Sequence, residues 1–212
     1  IVAKRFEEMK KGQAERLFPM LEDVLGEVGA VWEELDAIGV GTGPGNFTGI
    51  RIAVSAARGL ALSLGKPAVG VSGFEALRRM GGAEGRKCLA ALPAPRDQWL
   101  VEITDQEGRS DFRGLISGSE LHSYGHVSPP AVIGPWSDGM EVESSTVIEG
   151  RRVPDASGAV NFPDFSVRLA PCIAELAGER WGAPAEIRSP SPVYVRPPDA
   201  APASDPMPVI LP

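Results

Sequence analysis

The stretch Gly41-Thr42-Gly43-Pro44-Gly45-Asn46-Phe47-Thr48-Gly49 holds the residue types best suited to chemistry. It follows a short apolar run and precedes a helical stretch, the place where α/β proteins cradle phosphate. The common phosphate templates fail on it. A Walker loop ends Gly-Lys-Ser/Thr, and this one ends Thr48-Gly49-Ile50. A dinucleotide fingerprint begun at Gly41 needs glycine at position 46, where Asn46 stands. The better local reading is structural: the glycines permit tight turning and close backbone approach, and Asn46 or Thr48 caps the next helix. His122 and His126 are spaced four apart, as two zinc ligands on one helical face would be. Gly125 interrupts them, Pro129-Pro130 follows, and no third ligand is apparent, so a polar surface loop is expected and no metal site. No histidine neighbours a serine in a nucleophile elbow, so Ser-His-Asp hydrolysis finds no support. No catalytic residue is assigned. Glu33-Glu34 and Glu141/Glu143 read as solvated surface, and Trp99 as core.

The elements around the loop follow from periodicity. Ile1–Phe6 is expected to be a short strand. Gln13–Leu25 has helical apolar spacing, with Pro19 kinking it and Gly26 and Gly29 as stops. Leu35–Val40 suits a buried strand. A helix runs from Gly49 to Leu64 and ends at Gly65 and Pro67. Ala68–Val71 is a strand, and Ser72-Gly73-Phe74-Glu75 is a capping box opening a helix to Met80. This alternation signals an α/β layer with a largely parallel sheet. Gly81–Gly85 looks like a boundary. Strands at Lys87–Leu92 and Gln98–Thr104 flank a Pro93-Ala94-Pro95 turn, with Phe112 in a third strand. A short helix at Ser117–Ser123, a strand at Ala131–Gly134 and a last helix at Phe165–Trp181 follow. The division expected is an N-terminal lobe at 1–84, a second lobe at 85–196 whose last helix packs back on the first, and a tail at 197–212. Nine of the last 29 residues are proline, so the tail is expected to carry no core, although Pro190–Val195 can dock in extended form.

The two front helices carry more apolar surface than one sheet can cover. Apolar residues of Gln13–Leu25 span about 160° of the wheel, against roughly 100° for an ordinary surface helix. In the second helix Arg51, Ser55 and Arg58 form one narrow polar stripe, with Leu62 beside it. Nearly every other direction is apolar or small. Paired, the helices would expose an apolar patch of the kind that marks a partner site; the alternative is that other elements of the chain fill both faces. The partner face is expected at Leu17, Met20, Leu21, Val24, Arg51, Val54, Ser55, Arg58 and Leu62. Val54→Glu is expected to break pairing and leave the fold intact.

Composition sets outer bounds. The 212 residues are 43% hydrophobic and 23% charged, enough for a packed core. With 21 Lys and Arg against 28 Asp and Glu, the net charge is −7. That argues against a stand-alone nucleic-acid binder, which needs a basic footprint. Cys88 and Cys172 form no disulfide framework or zinc spacing and suit buried thiols in a reducing compartment. No run of eighteen apolar residues and no signal-peptide pattern occurs, so a cytoplasmic location without membrane contact is expected.

Gly43-Pro44-Gly45-Asn46-Phe47-Thr48-Gly49-Ile50-Arg51 resembles the Gly-Pro-Gly-Ser-Phe-Thr-Gly-Leu-Arg signature of the TsaB (YeaZ-like) proteins. Ala14–Leu21 is similar to that family's first helix. Gly70-Val71-Ser72 and the terminal Pro192-Val193-Tyr194-Val195-Arg196 agree with it as well. The resemblance is close over about residues 1–80 and weak over 85–185. Departures are Asn46 for Ser, Gln13 for His, and Pro93-Ala94-Pro95 where Asp-Ala-Arg is typical.

The resemblance implies an actin-like ATPase (ASKHA) α/β fold of two lobes, in degenerate form. The family's first two strands have no counterpart here, so some twenty-odd further residues are expected ahead of Ile1. It implies a non-catalytic accessory subunit for threonylcarbamoyladenosine formation in tRNA. Its partners would be a paralogous, TsaD-like transferase, met through a bundle of the first two helices, and a TsaE-like ATPase. Self-pairing through the same helices is implied when the partner is absent, and tRNA is met only through the complex. No cofactor is expected on this chain; ATP and Mg²⁺ belong at the level of the complex. The rival readings are an ATP-binding enzyme of the same fold and a glycoprotease-like peptidase.

Overall fold

The computed structural model describes residues 1–9, 11–124, 131–134, 159–161, 165–182, 187 and 189–195. Helix α1 spans Gln13–Glu27, a 3₁₀ turn Trp32–Glu34, strand β1 Ile38–Gly41, helix α2 Phe47–Leu64, strand β2 Ala68–Val71 and helix α3 Gly73–Met80. Then come β3 (Cys88–Ala94), β4 (Gln98–Thr104), β5 (Ser110–Ser117), α4 (Gly118–Tyr124), β6 (Ala131–Gly134), β7 (Ala159–Asn161) and α5 (Phe165–Trp181). β1 and β2 pair in parallel, and a mixed sheet has the order β5-β4-β3-β6-β7.

Local chemistry explains the front half. Asn46 Oδ1 accepts the Gly49 N–H at 2.8 Å and starts α2, and Gly65 ends it in the left-handed conformation. Ser72 and Glu75 close the expected capping box on α3. The parallel β1–β2 pair joined through α2 is the alternation the sequence predicted.

β3 is buried on both sides because its alternating residues enter different cores. Cys88, Ala90 and Leu92 join Val71, Phe74, Leu77, Cys172, Ile173 and Leu176 in the larger core. Leu89 and Ala91 face the other way and meet Trp99, Val101, Ile116 and Leu121. Trp99 is core, as expected. The larger core therefore runs across the Gly81–Gly85 turn, joining α3 and β2 to β3 and α5. Helix α5 packs on β1, β2 and α3, close enough that a Cβ on Gly39 would lie 2.8 Å from Ala177 Cβ.

Two of the expected elements are corrected. Ile1–Phe6 forms no strand; the segment lies along α1, tethered by Arg5–Glu27 and Glu7–Arg16 ion pairs, and among the described residues no ladder partner adjoins it. The β3–β4 turn falls at Pro95-Arg96-Asp97, with positive φ at Arg96 and Asp97, so Pro93 and Ala94 stay in the strand paired with Trp99 and Gln98. β7 carried no strong pattern and was not expected. His126 and residues 196–212 lie outside the described residues. By length and composition α2 could cross a bilayer. Arg51 and Arg58 within it, and its packing on β1, make it a helix of this domain.

Candidate partner face and glycine loop

The glycine loop spends its backbone groups inside the chain. The Thr42 N–H donates to Val71 O at 2.9 Å, and Gly43 O accepts the Gly73 N–H at 2.7 Å. Gly43 has φ 99°, and a Cβ there would meet Ile50 Cδ1 at 2.7 Å, so only glycine fits. The Gly49 and Ile50 N–H groups are taken by Asn46. This matches the structural reading of the loop.

The terminal segment docks on it in extended form, as expected. The Val193 N–H donates to Thr42 O at 2.7 Å. Tyr194 stacks on Phe47 with ring centroids 5.0 Å apart. The Arg51 guanidinium lies 3.9 Å from the Phe47 centroid, and its Nε donates to the Tyr194 hydroxyl at 3.0 Å. No local pattern signals this contact between positions 143 apart; the one hint is that both segments resemble the same family.

A groove of about 420 Å³ lies beside the loop, lined by Pro44, Ile50, Leu92, Leu100, Leu169 and Ile173 among others. Its described lining offers no carboxylate to Mg²⁺ and no cation to a phosphate, so these residues do not fit a nucleotide–metal site. Among the described residues no three His, Cys, Asp or Glu side chains converge as metal ligands do.

On α2, Arg51, Ser55, Arg58 and Leu62 all face outward, with Leu62 85% exposed. On α1, Leu17, Met20, Leu21 and Val24 are half-buried, Phe18 is exposed, and no residue of the helix is buried. α1 touches α2. Val54 is the correction. It is 3% exposed and packs with Val40, Ile50 and Ala57 against the sheet. At 3.6 residues per turn it lies about 60° round from Arg51, on the inward side. Val54→Glu would bury a carboxylate in that core and damage the fold. The outward arc turns the other way, through Thr48, Gly59 and Ser63. A Cβ on Gly59 would meet nothing within 4 Å. A mid-helix glycine costs about 0.5–1 kcal/mol relative to alanine, and that cost was the available signal.

The family described as "TsaD: tRNA N6-adenosine threonylcarbamoyltransferase" matches residues 7–98. The chain is 31% identical over 118 residues to the tRNA threonylcarbamoyladenosine biosynthesis protein TsaB of Escherichia coli, covering 56% of this chain and 50% of that one. It is 27% identical over 127 residues to the Haemophilus influenzae TsaB protein, covering 58% and 54%. A Pseudomonas aeruginosa crystal structure, described as an uncharacterized protein with similarity to peptidase YEAZ, superposes with a TM-score of 0.60 at 28% identity, covering 91% of this chain and 88% of that one. The resemblance to the TsaB (YeaZ-like) proteins is borne out. The chain spans about half the length of the curated relatives it matches. Its mixed α/β architecture is consistent with an actin-like fold. The match over residues 7–98 takes in the glycine loop and helices α1 and α2.

Proposed function

We propose that this chain is the non-catalytic accessory subunit of a tRNA threonylcarbamoyladenosine pathway, pairing with a paralogous TsaD-like transferase through α1 and α2. The observation that carries this is the outward arc of α2, with Leu62 exposed beside small residues at 55, 59 and 63, next to an α1 that fully buries none of its own side chains. Small residues let a partner helix approach within 8–10 Å. Burying the apolar part stabilises association by about 25 cal/mol per Å², before the cost of lost freedom. Val54 contributes by holding α2 on the sheet, and Arg51 by holding Tyr194.

In this reading the chain belongs to a two-lobed, degenerate actin-like protein in the cytoplasm. Two further strands would add to the edge of β1, which pairs with β2 alone among the described residues. The chain self-pairs through the same face when the transferase is absent, by mass action. A TsaE-like ATPase joins the assembly, ATP and Mg²⁺ act there, and tRNA is met through it. The test is reconstitution: the protein is mixed with the transferase paralogue of the same cell and followed by sedimentation and by threonylcarbamoyladenosine formation on tRNA. A stable complex that gains activity on adding this chain supports the reading; a transferase indifferent to it rejects the reading.

A further inference from the structure

A second cavity, of about 520 Å³, lies away from the outward face of α2, and its walls are charged. Three guanidinium groups reach it from three elements: Arg78 on α3, Arg113 on β5 and Arg180 on α5. Two carboxylates answer them. Glu102, only 4% exposed, accepts the Arg113 Nε at 3.0 Å and its Nη2 as well. Glu75 accepts Arg180 Nη2, while Arg180 Nη1 donates to Gly70 O at 2.7 Å.

Arg78 is left over. Its Nε is buried without a hydrogen-bond partner, and it has no ion pair among the described residues. Its guanidinium is held against the β4–β5 turn, where a Cβ on Gly108 would meet Nη1 at 2.7 Å. A buried donor without an acceptor is costly, and arginine cannot relieve the cost by losing its proton. The same cavity wall carries hydroxyls at Ser110 and Ser189. A guanidinium on a wall that also carries hydroxyls suits a planar or tetrahedral oxyanion.

We infer that this cavity binds a small molecule through its phosphate or carboxylate group, which the Arg78 guanidinium receives. Arg113 and Arg180 are already neutralised by Glu102 and Glu75, so they frame the site and leave one net positive charge. The volume lies in the range of small-ligand pockets, roughly 300–1,000 Å³. The inference is independent of the partner reading, since no residue of the outward face lines the cavity.

Calorimetric titration of the whole protein at constant ionic strength tests it, with inorganic phosphate in one arm and succinate in the other. Constant ionic strength removes general screening as a cause of heat. Saturable binding in at least one arm is expected, with Kd of about 1 mM or tighter, and Arg78→Gln should weaken it about tenfold or more. Saturation by phosphate alone identifies a phosphorylated ligand; saturation by succinate alone identifies a carboxylate. Ser189→Asp, at an exposed position on the cavity wall, should abolish binding by repulsion without touching α3. The proposal is overturned by no saturation in either arm up to about 20 mM, or by equal affinity in the wild type and a folded Arg78 or Ser189 variant.

Discussion

Leu62→Ala separates the partner face from the fold. The change removes three carbons from a side chain that is 85% exposed. Burying each carbon is worth about 0.8 kcal/mol, so a partner that covers the exposed part gains about 2 kcal/mol from them. At 1.4 kcal/mol per decade, Leu62→Ala should weaken pairing about 30-fold. Unfolding free energy should stay within about 0.5 kcal/mol of wild type, as for an ordinary surface substitution. Val54→Ala should do the reverse. It empties part of the Val40–Ile50–Ala57 cluster and costs the fold about 2 kcal/mol in transfer and cavity terms, with affinity little changed among folded molecules. The assay is calorimetric titration with the transferase paralogue, alongside urea unfolding of each variant. Unchanged affinity for Leu62→Ala would refute the face. So would a Val54→Ala variant of normal stability that fails to pair.

Three further outcomes are expected. Asn46→Ala should cost about 1 kcal/mol in urea unfolding by freeing the Gly49 N–H, whereas Asn46→Ser should cost a few tenths, since serine also caps. Burial alone would raise the Glu75 carboxyl, but the Ser72 backbone N–H and the Arg180 guanidinium outweigh it and hold it below the usual range. Its contribution is therefore complete above the unfolded carboxylate pKa of about 4.3 and is lost as pH falls toward the lower folded value. Glu75→Gln keeps the capping geometry, and unfolding measured between about pH 3 and 6 should show a shallower acid slope than wild type. Burial pushes the Cys88 thiol up to about 12 and raises Cys172 as well. Neither should react with a thiol reagent at pH 8 until denaturant opens the core, where both should titrate; rapid reaction of the native protein would contradict the packing.

Sequence alone determined what neighbouring residues settle among themselves. The Ser72–Glu75 capping box, the Asn46 cap, the glycine stop at 65 and the polar stripe of Arg51, Ser55 and Arg58 with Leu62 beside it are all set within a few helical turns, so their pattern is written in nearby positions. Strand β4 and helix α5 were legible in full for the same reason. Tertiary structure decided everything that needed a distant partner. Ile1–Phe6 has strand-like residues but no ladder to join among the described residues. Val54 sits at the border of the outward stripe, and only the sheet beneath α2 settles that it turns inward. β3 is buried on both sides because α3 and α5 cover one face while β4, β5 and α4 supply the other core. The Phe47–Arg51–Tyr194 stack and the leftover Arg78 arise where segments far apart in the chain converge. The physical reason is common to all of these: capping hydrogen bonds and helix periodicity act over a few residues, whereas burial, strand pairing and charge balance depend on which surfaces the whole chain brings together.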